Sequence, residues 1–220
     1  MRWIMEILTI RQYDQAVIEL GQNDPIMNKL INVIGDLEVT MRPDFFRSLV
    51  RSMIGQQISV QAADAIFGRL DVLLDKRITA ESVNGATDEQ LRAIGLSRRK
   101  VTYLRDLAAK VDSDDVSLDQ LHDLDNETVI KQLTSIKGIG KWTAEMFLIF
   151  SLARMNVLAV DDIGIQRGAK WLYGVDQSER RNLLIEKKPI WSPHLTIASF
   201  YLWEIVHLDF ERRFASIDDI

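Results

Sequence analysis

Cysteine is absent from this 220-residue chain, which excludes disulfides, cysteine-ligated zinc and cysteine-ligated iron–sulfur clusters. Histidine is scarce: His122, His194 and His207 stand far apart, so a histidine-based catalytic metal site is not expected. No run of about 18 apolar residues occurs, so no membrane span is expected. The N-terminus carries Arg2 and then Glu6 without a small-residue cleavage pattern, which does not read as a signal peptide; a soluble, cytoplasmic protein is the expectation. Excess positive charge is missing too. With 27 Lys+Arg against 32 Asp+Glu the net charge is −5, which counts against a broad basic surface for nucleic acid. It leaves room for a local grip on a few phosphates through backbone amides. Strand signals are few: Val39-Thr40 and Arg2 to Ile10 are the candidates, and neither alternates cleanly.

Helical periodicity fills most of the remainder, with about ten helices joined by short loops. Asp24-Pro25 opens a helix that stops at Gly35, a cap followed by proline at the first helical position. Phe45, Phe46, Leu49, Val50 and Met53 fall on one helical face, and Ser59 caps the next helix beyond the exposed Gln56-Gln57 joint. Asp112 to Asp125 reads as an acidic loop, Asn126 as the cap of a helix to Leu133, and the tail after Phe210 as frayed. Arg98, Arg99 and Lys100 crowd the first turn of a helix capped by Ser97, the unfavourable end for cations. A nearby anion would resolve that conflict.

The stretch Leu133 to Asp162 carries the chemistry. Ser135-Ile136-Lys137-Gly138-Ile139-Gly140-Lys141 makes a tight turn between two helical patterns. The second helix, Trp142 to Leu152, is apolar nearly all round and is expected to be buried. Free N–H groups and partial positive charge at its start suit an anion, most often a phosphate. Asp161-Asp162 follows one helix later. One acid suffices to cap the helix from Ile163 to Tyr173, which leaves the other for chemistry as electrostatic stabiliser, general base or nucleophile. Spacing alone does not choose among these, nor between an enzyme and a binding module.

Leu133 to Trp142, with Val160-Asp161-Asp162-Ile163-Gly164, resembles the signature of the helix-hairpin-helix (HhH-GPD) DNA glycosylase superfamily. Gly55-Gln56-Gln57-Ile58-Ser59, Gly140-Lys141-Trp142-Thr143-Ala144 and Ala198-Ser199-Phe200-Tyr201-Leu202-Trp203 are similar to the bacterial DNA-3-methyladenine glycosylase II branch, so that the likeness runs from about Pro43 to His207. The resemblance implies an all-α fold of two helical subdomains, 40–152 and 1–39 plus 153–220, with the hairpin at the lip of the cleft between them. It implies hydrolysis, without lyase activity, of the N-glycosidic bond of alkylated purines such as 3-methyladenine in double-stranded DNA. It assigns catalysis to Asp162, the base pocket to Trp142 and Trp203, the wedge into the duplex to Gln57, and phosphate contacts to Lys137, Gly138, Ile139, Gly140 and Lys141. No organic cofactor is implied. The backbone carbonyls of Thr134, Ile136 and Ile139 would hold a structural Na+ or K+ ion. A monomer working at the bacterial nucleoid is expected. Bifunctional relatives place lysine where Trp142 stands, so a Schiff-base nucleophile is missing. Val160 replaces a usual proline, and His194-Leu195 replaces an aromatic–arginine pair, removing an expected buried cation. The alternatives are a glycosylase for oxidised or deaminated purines and a non-catalytic DNA-damage binder.

Overall fold

A computed structural model describes residues 6–220, so Arg2 to Met5 of the candidate first strand lie outside the described residues. The chain divides into two compact units, one of 42–152 and the other of 6–41 with 153–220. A border expected between 39 and 40 thus falls between 41 and 42. The reason is a strand pair: β1 (Glu6–Ile10) runs antiparallel to β2 (Leu37–Met41), which keeps residues 37–41 with the chain's beginning. The strands enclose α1 (Gln15–Asn23) and α2 (Pro25–Ile34). Ile10, Leu37 and Met41 are buried while the centre of each strand is not. That is why no clean alternation marks them in the sequence; backbone pairing, not a continuous apolar face, defines this ribbon.

The central unit holds α3 (Phe45–Gly55), α4 (Val60–Leu73), α5 (Ala80–Gly85), α6 (Asp88–Ala93), α7 (Arg98–Asp112), α8 (Asn126–Thr134) and α9 (Lys141–Phe150). Side-chain caps fix most of the starts. Asp44, Ser59 and Ser97 cap α3, α4 and α7, and Thr79 and Thr87 form reciprocal capping boxes at α5 and α6. α8 starts one residue earlier than expected: Asp125, not Asn126, is the cap, its Oδ1 accepting the Thr128 N–H at 2.9 Å. The acidic stretch before it contains a 3-10 turn, Leu118–Asp123, held by buried Leu118 and Leu121. α3 packs on α7 and α9 through a core that includes Leu49, Met53, Leu104, Leu107, Ala144 and Leu148.

The other unit is completed by α10 (Ile163–Tyr173), α11 (Arg180–Trp191), α12 (Leu195–His207) and α13 (Phe210–Arg213). α12, apolar through Leu195 to Leu202, is its central helix and lies against α10, α11 and α2. The tail is not frayed. Phe210 and Ile217 are buried, and the Trp171 indole N–H donates to the Phe214 carbonyl at 3.0 Å. Asp24, 2% exposed, ties this unit together. Its Oδ1 caps α2 through Ile26 and Met27, while Oδ2 accepts from Tyr173 at 2.7 Å, Lys187 at 2.8 Å and Trp191 at 2.9 Å. His194 bonds Glu19 at 2.8 Å.

Candidate active site

The candidate residues fall in two groups, one in each unit. Asp162 and Trp203 belong to the unit of α10–α13; Gln57, the hairpin and Trp142 belong to the central unit.

Asp162 is the N-cap of α10 and is 8% exposed. Its Oδ1 accepts the Ile165 backbone N–H at 2.9 Å and the Trp203 Nε1–H at 2.9 Å. Asp161 is exposed and faces Arg181, Nε to Oδ1 at 2.7 Å. Of the two acids, the second is therefore the one built into the fold. The loop before it is pinned from α12. The Thr196 hydroxyl, fully buried, donates to the Arg154 carbonyl at 2.7 Å and accepts the Val157 N–H at 3.1 Å. Thr196 N–H adds a bond to the Met155 carbonyl at 3.0 Å. Gln166, one turn into α10, reaches back to the Val160 carbonyl at 2.7 Å. Val160 thus needs no proline to hold the loop's end.

Two glycines bring α12 close. A Cβ on Gly168 would overlap the Leu202 carbonyl, and one on Gly164 would lie 2.9 Å from Trp203 Cδ1 and 3.0 Å from its Nε1. One helical turn apart, they form a Cβ-free track on α10 against Leu202 and Trp203. Thr196, Gln166 and Gly168 were not singled out from the sequence, and Gly164 was named only as part of the signature, without a role. The Gly-x-x-x-Gly spacing was the signal that could have found the two glycines.

In the hairpin, Leu133, Ile136 and Ile139 are buried and anchor the turn. The Ile139 N–H donates to the Ile136 carbonyl at 3.1 Å. Gly138 has φ +87°, and a Cβ there would enter the Tyr103 ring. Gly140 is different: its φ is −94° and its Cβ position is open. It is the N-cap of α9 and supplies no side-chain acceptor to the first turn. Lys137 commits its N–H to Asp106 Oδ2 at 2.8 Å and pairs its ammonium with the same carboxylate. Lys141 pairs with Glu145. Trp142 is 47% exposed, against the expectation of a helix buried all round. The exposure is confined to the first turn: beyond it Thr143, Ala144, Glu145, Phe147, Leu148 and Ile149 are buried, on all sides of α9.

The Gln56-Gln57 joint meets the hairpin. Gln56 Nε2 donates to the Gly138 carbonyl at 2.7 Å. Gln57 is exposed, has φ 59°, and its side-chain oxygen accepts from Arg99 at 2.9 Å. Lys100, buried, donates to the Ile54 carbonyl at 2.6 Å. Burial first, then the neighbouring Arg99 charge, pull the Lys100 ammonium below its ordinary pKa. So Lys100, placed awkwardly at the start of α7, serves the carbonyl-rich end of α3. Among the described residues no cluster of His, Cys, Asp and Glu could hold a metal ion.

Comparison with known proteins follows the same outline. Residues 50–192 match the model of the HhH-GPD superfamily of base excision DNA repair proteins. DNA-3-methyladenine glycosylase 1 of Schizosaccharomyces pombe is 32% identical over 196 residues, 86% of each chain. A crystal structure of a DNA-3-methyladenine glycosidase from Bacillus halodurans superimposes with a TM-score of 0.90 at 38% identity, covering 96% of this chain and 98% of that one. The S. pombe 3-methyladenine DNA glycosylase in complex with abasic DNA gives 0.79 at 32% identity, covering 88% and 97%.

Proposed function

This chain belongs to the HhH-GPD superfamily of base excision DNA repair proteins, and from that membership we propose that it is a DNA-3-methyladenine glycosylase that hydrolyses the N-glycosidic bond of alkylated purines in double-stranded DNA. The observation that carries this beyond kinship is Asp162: a buried carboxylate at a helix start, with one oxygen fixed by a backbone N–H and an indole N–H.

A purine alkylated at N3 or N7 is cationic and a good leaving group. When its bond to C1′ breaks, the electron pair moves to the ring, the base leaves neutral, and positive charge passes to the sugar. A fixed carboxylate stabilises that oxocarbenium-like sugar and orients the water that adds to C1′, whose proton is then lost. Extruding the nucleotide costs a few kcal/mol, least for poorly paired bases. Aromatic faces such as those of Trp142 and Trp203 attract a cationic base, worth about 0.5–2 kcal/mol each. A pocket for oxidised or deaminated purines would need polar groups aimed at the base edge instead.

The hairpin holds the adjoining backbone. A phosphate takes the N–H groups at the start of α9, where Gly140 offers no competing acceptor. Gln57 wedges where the base leaves, steadied by Arg99. Oxygen donors suit a hard Na+ or K+ ion, and the Thr134, Ile136 and Ile139 carbonyls fit one. Thr134 ends α8, where carbonyls outnumber helical N–H partners, and the Ile136 carbonyl keeps a second lone pair beyond its bond from Ile139. Such an ion would add positive charge beside the phosphate. Trp142 in place of an amine makes the reaction purely hydrolytic, and the protein acts as a monomer.

Base release from methylated duplex DNA tests this. Wild type releases 3-methyladenine and leaves an abasic strand that breaks only on alkali treatment, and borohydride traps no protein–DNA adduct. Release by Asp162→Asn at the wild-type rate would remove the catalytic assignment, and a trapped adduct would remove the purely hydrolytic one.

A further inference from the structure

Trp203 has so far been given one job, as a wall for the base. Its hydrogen bond says more. Two N–H groups that reach Asp162 fall on the same oxygen, Oδ1, and come from different helices: Ile165 from α10 itself and Trp203 from α12. A cap bond alone fixes one oxygen and lets the carboxylate plane swing about it. A second donor from an independent helix removes that freedom and sets the direction of Oδ2. The donor is uncharged, so it orients the carboxylate while leaving its negative charge intact for a cationic sugar. The geometry is tightly built. The Gly164 Cβ position lies 2.9 Å from Trp203 Cδ1, 3.0 Å from Nε1 and 3.1 Å from Asp162 Oδ1, so any side chain there would push the two groups apart. α12 is also tied to the loop before Asp162 two turns earlier, through Thr196.

Resting on the glycosylase function above, we propose that Trp203 is a positioning residue for Asp162, acting through its indole N–H, and that Gly164 is the vacancy that lets the indole reach the carboxylate. A role as base wall depends on the ring; this role depends on the N–H. The two are separable. Replacing Trp203 with 3-benzothienylalanine exchanges the N–H for sulfur and keeps the ring's size and face. Gly164→Ala keeps both side chains and displaces them.

The test is single-turnover release of 7-methylguanine from duplex DNA at saturating protein, beside the affinity of each variant for DNA holding an abasic-site analogue. Both variants are expected to release base about ten- to a hundredfold more slowly, the worth of one hydrogen bond to a charged group. Affinity for the abasic duplex stays within about twofold of wild type, since that ligand has no base for the ring to hold. Wild-type speed in the sulfur variant overturns the positioning role and leaves the glycosylase function standing. Equal loss of rate and affinity also overturns it, because the indole then serves packing. No release by the wild type removes the glycosylase function itself, and the positioning role with it.

Discussion

At Asp162 one side chain caps a helix and carries the proposed chemistry, and the two duties respond differently to substitution. Asparagine keeps an oxygen for the Ile165 and Trp203 N–H groups, so Asp162→Asn should leave thermal stability within about 1 kcal/mol of wild type. It removes the charge, so base release should fall by at least about a hundredfold. Unfolding of this variant would mean that the charge serves the fold, and the loss of activity would then say nothing about catalysis. Trp142 offers the converse check. With 47% exposure about half of the ring is already in water, so Trp142→Ala should excise alkylated bases more slowly at a stability cost of about 1–2 kcal/mol, below the roughly 3–5 kcal/mol of a buried tryptophan. A larger loss, read by urea unfolding, would return Trp142 to a structural role. Spacing offered only an acid pair before a helix, and it was the family resemblance that singled out Asp162. Which acid is built in depended on Trp203, a residue 41 positions away, and no local pattern carries such a contact.

The hairpin shows how much an element's sequence can reveal. Its two glycines look alike in the chain and are not alike in the fold. Gly138 needs its positive φ and its missing Cβ, because Tyr103 occupies the space. Gly140 needs neither. Gly138→Ala should therefore destabilise the protein by about 1–3 kcal/mol. Gly140→Ala should cost at most about 1 kcal/mol, alanine being the poorer N-cap, yet bind duplex DNA several-fold more weakly, since a methyl group would stand where a phosphate approaches. Unfolding curves and DNA titrations on the pair decide this; wild-type DNA affinity in Gly140→Ala would mean the open space at Gly140 has no ligand. Caps made most helices legible, because Asp44, Ser59, Thr87 and Ser97 act on amides two or three residues away. The strand candidates Arg2 to Ile10 and Val39-Thr40 overlap β1 and β2, but their pairing was not legible, and neither was α5. Pairing between residues 6–10 and 37–41 is a non-local bond pattern with few buried side chains, and α5 is too short to show a period.

For the molecule as a whole, charge and burial set two responses to solution conditions. Acids outnumber bases, and the hairpin lysines Lys137 and Lys141 already face Asp106 and Glu145, so the hairpin itself brings few free charges to exchange for counterions on DNA. The logarithm of affinity should fall with the logarithm of salt concentration with a slope of magnitude about 2 to 4, near 0.9 per phosphate; a slope near 10 would require a broad basic surface. Acid should act through Asp24. Burial pushes its carboxyl up, but donors from Lys187, Trp191, Tyr173 and the Met27 N–H outweigh burial and hold it below the ordinary 3.8. The unfolded chain therefore takes up this proton at higher pH than the folded one. Asp24 contributes fully above the unfolded value, and its contribution is lost as pH falls through the lower, folded value. Asp24→Asn strips the partly buried Lys187 of its buried counter-charge and should cost about 3 kcal/mol at neutral pH. Between about pH 5 and pH 3 its stability should fall less steeply than that of wild type, because one proton uptake has been removed. Urea midpoints measured across that range, on both proteins, test it. Parallel curves would mean that another carboxylate governs acid unfolding and that the Asp24 bonds serve geometry alone.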